Sequence, residues 1–425
     1  MSALSVLLTL LLACIFRSIW AWYRLSHIPG PFWYSISSIP LLRTNISGHS
    51  HSTLNSLTNK YDERPLVRIG PNLVIFRDII TTDVRHKGKY HSFCTVDEMR
   101  HAVLRTKIGS GYSGSVLVER AIERQLSRLF ELIDRQFLSR DETYKPVDFA
   151  ILTQLFAIDT VGDMTYGKPF GFLDEGKDIC DWVNWNEKFF PAASTAATLP
   201  LLGQVVQTWP FSELLPKATD AVGLGRFINV AGTDSVAVAL RMILLYVQPT
   251  PRVYTLLLAE LDQAREKGQI SRPVQDAEAK RLRVFPALTP LLNKTVPKGG
   301  DNVAGIHLPS GTEVGVDVWG ILRSKEYWGD DADLFRPNRW LKLEEKQLQE
   351  MTGCLEVLFG YGRYKCLGRG IAIMELNKVL PELLMHYLFT VVDPTRPVKI
   401  MHSAAFWLMK GFWVAISLRG EESEE

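Results

Sequence analysis

Residues 359–368 read Phe-Gly-Tyr-Gly-Arg-Tyr-Lys-Cys-Leu-Gly, and Cys366 is their chemical centre. A helical pattern, RGIAIMELNKVL, follows at once. A helix start offers free N–H groups and the positive end of a dipole, and both favour a thiolate over a thiol. Gly360, Gly362 and Gly368 remove side chains where a flat ligand must approach the backbone. Phe359 can pack over the sulfur, and Arg363 and Lys365 bring positive charge beside it. A lone cysteine is more often a buried structural residue. The glycine spacing and the helix start weigh against that here. Zinc is disfavoured too, because Cys354 is the nearest other cysteine and no CxxC or paired His accompanies it.

The segment resembles the cysteine-ligand loop of the haem-thiolate monooxygenases, the cytochrome P450 superfamily. Phe, Gly, Cys and Gly stand there at the spacing of Phe359, Gly362, Cys366 and Gly368. That family commonly has Arg or His two before the cysteine, against a haem propionate. Here the place is held by Tyr364, whose phenol can donate a hydrogen bond, and the cation falls one earlier at Arg363. The resemblance implies a mainly α fold with small β-sheets. It places haem b (iron protoporphyrin IX) between an oxygen helix and the helix after Cys366, with the Cys366 thiolate as the fifth iron ligand.

Ala231-Gly232-Thr233-Asp234-Ser235 lies inside a long apolar helical pattern reaching about Val247. Glycine inside a helix costs roughly 1 kcal/mol against alanine. An acid and an alcohol in an apolar helix are costly unless satisfied. Such combined local penalties point to a functional site, whereas a back-bonded Ser and a salt-bridged Asp are the bland alternative. The family has a similar pattern on the oxygen-binding face of the haem. Carried over, Gly232 widens the helix for dioxygen, and Asp234 and Ser235 relay protons during oxygen activation. Asp97 to Ile108 has helical composition and puts His101 and Arg105 on one face. The family's W-x-x-x-R pair meets the propionates from such a helix; the alternative is a solvated face.

Two regions depart from the family. Only a short stretch separates Thr219 from Ala231, so part of the helical roof is expected to be shortened. Glu278 to Pro286 reads EAKRLRVFP, which offers Arg283 at the right distance from Pro286 but Lys280 where the Glu of Glu-x-x-Arg belongs. That helix is also expected to be shortened. Phe335, Pro337, Arg339 and Trp340 match the family's F-x-P-x-R-[FW] segment, and without the Glu, Arg283 and Arg339 would meet as like charges.

The 48 basic and 46 acidic residues nearly balance, without a basic block, which argues against nucleic acid as a partner. Five scattered cysteines suit a reducing compartment better than a disulfide framework. Ala3 to Phe16 is apolar, and Ile19, Trp20 and Trp22 extend the run to about 20 residues, enough to cross a bilayer. Arg17, Arg24 and Arg43 follow the run and no basic residue precedes it, so the rest of the chain is expected on the cytosolic side. The expected layout is a transmembrane anchor over 1–24, a proline-rich hinge and linker over 25–48, a catalytic domain over 49–419 and a disordered acidic tail over 420–425.

Further elements are expected as helices over Arg120–Phe137, Val147–Met164, Asp181–Phe190, Val253–Lys267 and from Cys366 to about Leu388. Strands are expected over Leu66–Ile69 paired with Leu73–Ile75, then Leu292–Val296, Val303–Leu308 and Thr312–Val316. A terminal hairpin is expected from His402–Leu408 and Gly411–Ile416. The resemblance implies a fungal, pisatin demethylase-like monooxygenase at the endoplasmic reticulum membrane. Such an enzyme inserts one oxygen atom into a small lipophilic molecule with electrons from NADPH–cytochrome P450 reductase. The alternative is a shortened, catalytically silent relative that binds haem weakly or not at all.

Overall fold

Long helices form where the apolar period is strongest, and small sheets fill the gaps between them. The computed structural model describes residues 3–61, 64–76, 102–103, 105–106, 109, 116–140, 142–185, 187–188, 208, 223–271, 273–275, 294–340, 343–360, 365–395, 398–403 and 406–420. The principal helices are α1 (Ala3–Arg24), α2 (Phe32–Ile36), α3 (Ile39–Ile46), α4 (Ser50–Asn59), α5 (Val116–Leu132), α6 (Phe149–Tyr166), α7 (Gly223–Val247), α8 (Pro251–Glu266), α9 (Glu345–Glu356) and α10 (Arg369–His386).

In α5, Val118, Ile122, Leu126, Leu129 and Leu132 recur at helical spacing and are buried. The helix starts earlier than its composition suggests, and its expected last turn, Ile133–Phe137, widens into a π-helix. α6 is buried nearly all round and carries the centre of the core. Asp148 caps its start by accepting from the Ala150 N–H at 3.0 Å, and Gly167, at φ 71°, ends it. α7 lies along α6 and also packs on α10, while α5 packs on α6. The helix that carries Asp234 therefore packs on the helix that follows Cys366. The end of α10 is set by β8, which begins at Tyr387.

The largest sheet has the order β1-β2-β7-β4, from β1 (Leu66–Arg68), β2 (Leu73–Phe76), β4 (Lys294–Thr295) and β7 (Glu313–Val316). β3 (Val147–Asp148), β11 (Trp413–Leu418) and β8 (Tyr387–Val391) form a second sheet, in the order β3-β11-β8. The expected strand over Val303–Leu308 is instead a hairpin of β5 (Asp301–Val303) and β6 (Ile306–Leu308), because Ala304 at φ 51° and Gly305 at φ 75° turn the chain. The expected terminal hairpin is also re-paired. β9 (Lys399–Ser403) pairs with β10 (Phe406–Lys410), and Gly411 at φ 70° sends β11 to β8 and β3. Within the expected helix Asp181–Phe190, Asp181 itself sits at φ 55° and the helix is described over 182–185.

α1 is one helix of 22 residues. Among the described residues, no helix is long and apolar enough to cross a membrane; side chains of α1 such as Leu7 and Leu10 fall outside that description. The shortened roof before residue 223, the segment Glu278–Pro286 and the tail from residue 421 lie outside the described residues as well.

Candidate active site

Among the described residues, one backbone bond spans the cysteine loop. Phe359 ends a 3₁₀ turn, and its carbonyl accepts from the Cys366 N–H at 2.6 Å, which closes the loop. Gly360 sits at φ 71°, a conformation that favours glycine. Gly368 precedes the first turn of α10, and the N–H groups of Gly368 and Arg369 point at the Cys366 sulfur. Cys366 is exposed as a residue, yet protein encloses its sulfur enough for burial to push the thiol up. The two N–H groups and the charges of Arg105 and Arg369 oppose that push. The expected bias towards thiolate is therefore present but outweighed by desolvation. The other cysteine of this region, Cys354, is wholly buried among Trp328, Trp340 and Met351, and burial pushes its thiol to about 12.

The charges around Cys366 differ from those read in the sequence. Lys365 is taken by Glu356, Nζ to Oε2 at 2.8 Å, and Arg369 pairs with the same carboxylate while lying 5.4 Å from the Phe359 ring centre. Arg105 reaches in from far along the chain and donates to the Lys365 carbonyl. His101, Gly362, Arg363 and Tyr364 lie outside the described residues.

The polar step in α7 is met by groups of α6. Gly232 and Asp234 both lie in α7. Thr233 is fully buried, and its hydroxyl has no hydrogen-bond partner. Ser235 is half-buried. Gln154 of α6 donates from Nε2 to Asp234 Oδ1 and accepts on Oε1 from Arg241 Nη2 at 2.6 Å. Arg241 Nε donates to Thr153 Oγ1 at 2.8 Å. Burial pushes Asp234 up to about 6, restrained by the Gln154 hydrogen bond and by Arg241 and reinforced by Glu187. Asp234, Gln154 and Arg241 border a cavity of about 200 Å³ whose wall also includes Asp148, Glu187, Trp407 and Lys410.

Gln154, Arg241 and Glu187 were not singled out in the sequence. A signal existed for Arg241, which lies two helical turns from Asp234 in the same apolar helix. None existed for Gln154, because its partner is on another helix. The expected meeting of Arg283 with Arg339 falls partly outside the described residues, and Arg339 is itself paired. Arg339 donates to Asp331 Oδ1 at 3.2 Å and to the carbonyls of Trp328, Asp331 and Leu334 at 2.5, 3.0 and 3.2 Å. Arg283 lies outside the described residues.

The donor set at Cys366 fits a haem-thiolate ligand: a sulfur met by N–H groups able to spread negative charge, with guanidinium groups nearby, on a residue that is exposed.

The cytochrome P450 family model matches residues 226–411. The cytochrome P450 monooxygenase ABA1 of Pyricularia oryzae is 31% identical, with 88% of this chain and 89% of that protein covered. The monooxygenase aba1 of Botryotinia fuckeliana is 29% identical, with 90% of each covered. The monooxygenase cicH of Emericella nidulans is 28% identical, with 88% and 90% covered. The ABA1 alignment runs over 461 positions, more than the 425 residues of this chain, so it opens gaps opposite it. The fold matches the crystal structure of the cytochrome P450DA heme domain with a TM-score of 0.63 at 15% identity, over 87% of this chain and 92% of that one. The chain belongs to the cytochrome P450 superfamily and is a monooxygenase of that haem-dependent family.

Proposed function

We propose that this chain is a membrane-anchored fungal haem b monooxygenase that oxidises a small lipophilic molecule in secondary metabolism or detoxification. In this reading NADPH–cytochrome P450 reductase supplies the electrons, and the enzyme sits in the endoplasmic reticulum membrane with its catalytic part in the cytosol. The observation that carries it is Cys366: an exposed residue at a helix start, its sulfur met by two N–H groups and faced by Arg105 and Arg369.

Haem bound at Cys366 supplies oxygen activation and the insertion of one oxygen atom. Cys366 would supply the sulfur that holds the haem iron, and the Gly368 and Arg369 N–H groups would stabilise its charge. Arg105 would serve the haem propionates, Phe359 would pack near the sulfur and Gly368 would clear space for the ring; the same expectation extends from the sequence to His101, Gly362, Arg363 and Tyr364. Asp234 exchanges a proton near pH 6, and Ser235 hands it on. Gly232 leaves room at the helix surface. The anchor reading is supported by the apolar face of α1, where Leu12, Phe16 and Ile19 are 57, 71 and 59% exposed.

One observation favours the alternative, a shortened and catalytically silent relative: the alignment with ABA1 is longer than the chain itself. The reduced protein with carbon monoxide decides between them. The expected result is the red-shifted Soret band of a thiolate-ligated haem in the parent and its loss in Cys366→Ala. A folded parent without that band leaves the silent reading.

A further inference from the structure

The junction between α1 and the body of the protein is expected from its prolines to be a hinge. The structure builds it as a lock. Arg68, in β1, is 1% exposed, and all three of its guanidinium nitrogens donate to backbone carbonyls. Nη1 reaches Trp22 O at 3.0 Å, and Nη2 reaches Ala21 O at 2.8 Å. Those carbonyls belong to the last turn of α1, where a helix leaves its C=O groups unpaired and its dipole is negative. The same guanidinium holds Ser35 O of α2 at 2.9 Å and, across the β1–β2 turn, Gly70 O at 3.1 Å and Pro71 O at 2.7 Å. No carboxylate is among these acceptors. The side chain is therefore a buried cation satisfied by carbonyl dipoles from three separate segments.

Packing around it leaves no slack. The Arg68 N–H donates to Pro29 O at 2.8 Å, so the segment after α1 lies against β1. A Cβ at Gly30 would fall 2.3 Å from the Arg68 carbonyl oxygen. Leu25 and Ile28, at 0 and 3% exposure, are core residues with Leu66, Val74 and Phe76. Arg24 donates to Ser310 O at 3.1 Å, and the His27 ring lies 2.8 Å from His307 O, which ties the junction to the β5–β6 side as well.

We propose that Arg68 is a positioning residue that locks the exit angle of α1, so that the body of the protein meets a phospholipid bilayer in one fixed orientation. This rests on the reading of α1 as a membrane anchor. Trp20 and Trp22 near the end of α1 and Phe32 and Trp33 just beyond the lock are all exposed, the last by 68%. Aromatic side chains of this kind settle at the membrane–water interface. A locked joint would hold both groups there together.

The test uses the full chain in phosphatidylcholine nanodiscs, with spin labels introduced through an unnatural amino acid at Thr9 in α1 and at Lys298 in the body. Double electron–electron resonance in the parent is expected to give one narrow distance distribution. Arg68→Met is expected to broaden it at least twofold, and Arg68→Lys by less. A broad distribution in the parent, or an unchanged one in Arg68→Met, overturns the lock. If Arg68→Met does not fold, Gly30→Ala attacks the same joint from the other side and is expected to broaden the distribution as well. Flotation of the parent with phosphatidylcholine vesicles tests the anchor separately. A parent that stays in solution sinks the anchor, and the same distance measured in detergent still judges the lock.

Discussion

Asp234 and Glu375 are two enclosed carboxyls on helices that pack against each other, α7 and α10, and they hold their protons differently. Asp234 is pushed up to about 6, because the Gln154 amide and the nearby Arg241 charge resist the effect of burial. Glu375 is pushed up to about 8 by burial alone, and its Oε1 has no hydrogen-bond partner. Desolvation acts on both, and the supply of donors decides how far it carries. A carboxyl near 6 can exchange a proton at neutral pH, whereas one near 8 stays neutral there. The contrast accords with the role proposed for Asp234 and leaves Glu375 as a cost held inside the core.

The largest expected effect is on stability. A carboxyl whose native pKa is raised keeps its proton after the unfolded chain has released it. Its stabilising share is full below the ordinary value of 4.5 and is lost as pH rises through about 8. The parent is expected to lose on the order of 4 kcal/mol across that window. Glu375→Gln should remove this slope and be the more stable protein at pH 8, as read by urea unfolding followed by circular dichroism. A slope that survives the substitution would end the comparison.

Asp234→Asn comes next. Turnover should fall by about a hundredfold, the usual scale for a lost proton-transfer group, while the carbon monoxide spectrum is kept. Unchanged turnover would place proton delivery elsewhere. The smallest effect is expected for Gln154→Leu, which strips Asp234 of its donor and makes it more like Glu375. The inflection in the pH profile of turnover should move up by roughly one unit. A downward shift would show that Gln154 does not restrain this carboxyl.

Much of the fold was legible because its signals are local. The period of Val118 to Leu132 gave a helix, and the Gly70-Pro71-Asn72 turn between Leu66 and Phe76 gave a hairpin. The strand errors share a cause. Alternation alone does not reveal that Ala304 and Gly305 adopt positive φ, or that β10 returns to β9 while β11 goes elsewhere. The pairing of Arg339 with Asp331, eight residues away, leaves no periodic trace in the sequence, because it depends on how the chain turns between them.

By itself, the sequence determined the cysteine loop, the helix that follows it and the presence of a costly polar step in α7, because each depends on residues within a few positions of one another. The tertiary structure alone decided which charges face Cys366, which amide steadies Asp234, and that Arg68 reaches back to the end of α1. Those contacts join segments far apart along the chain, and their strength comes from burial, which only the completed core creates.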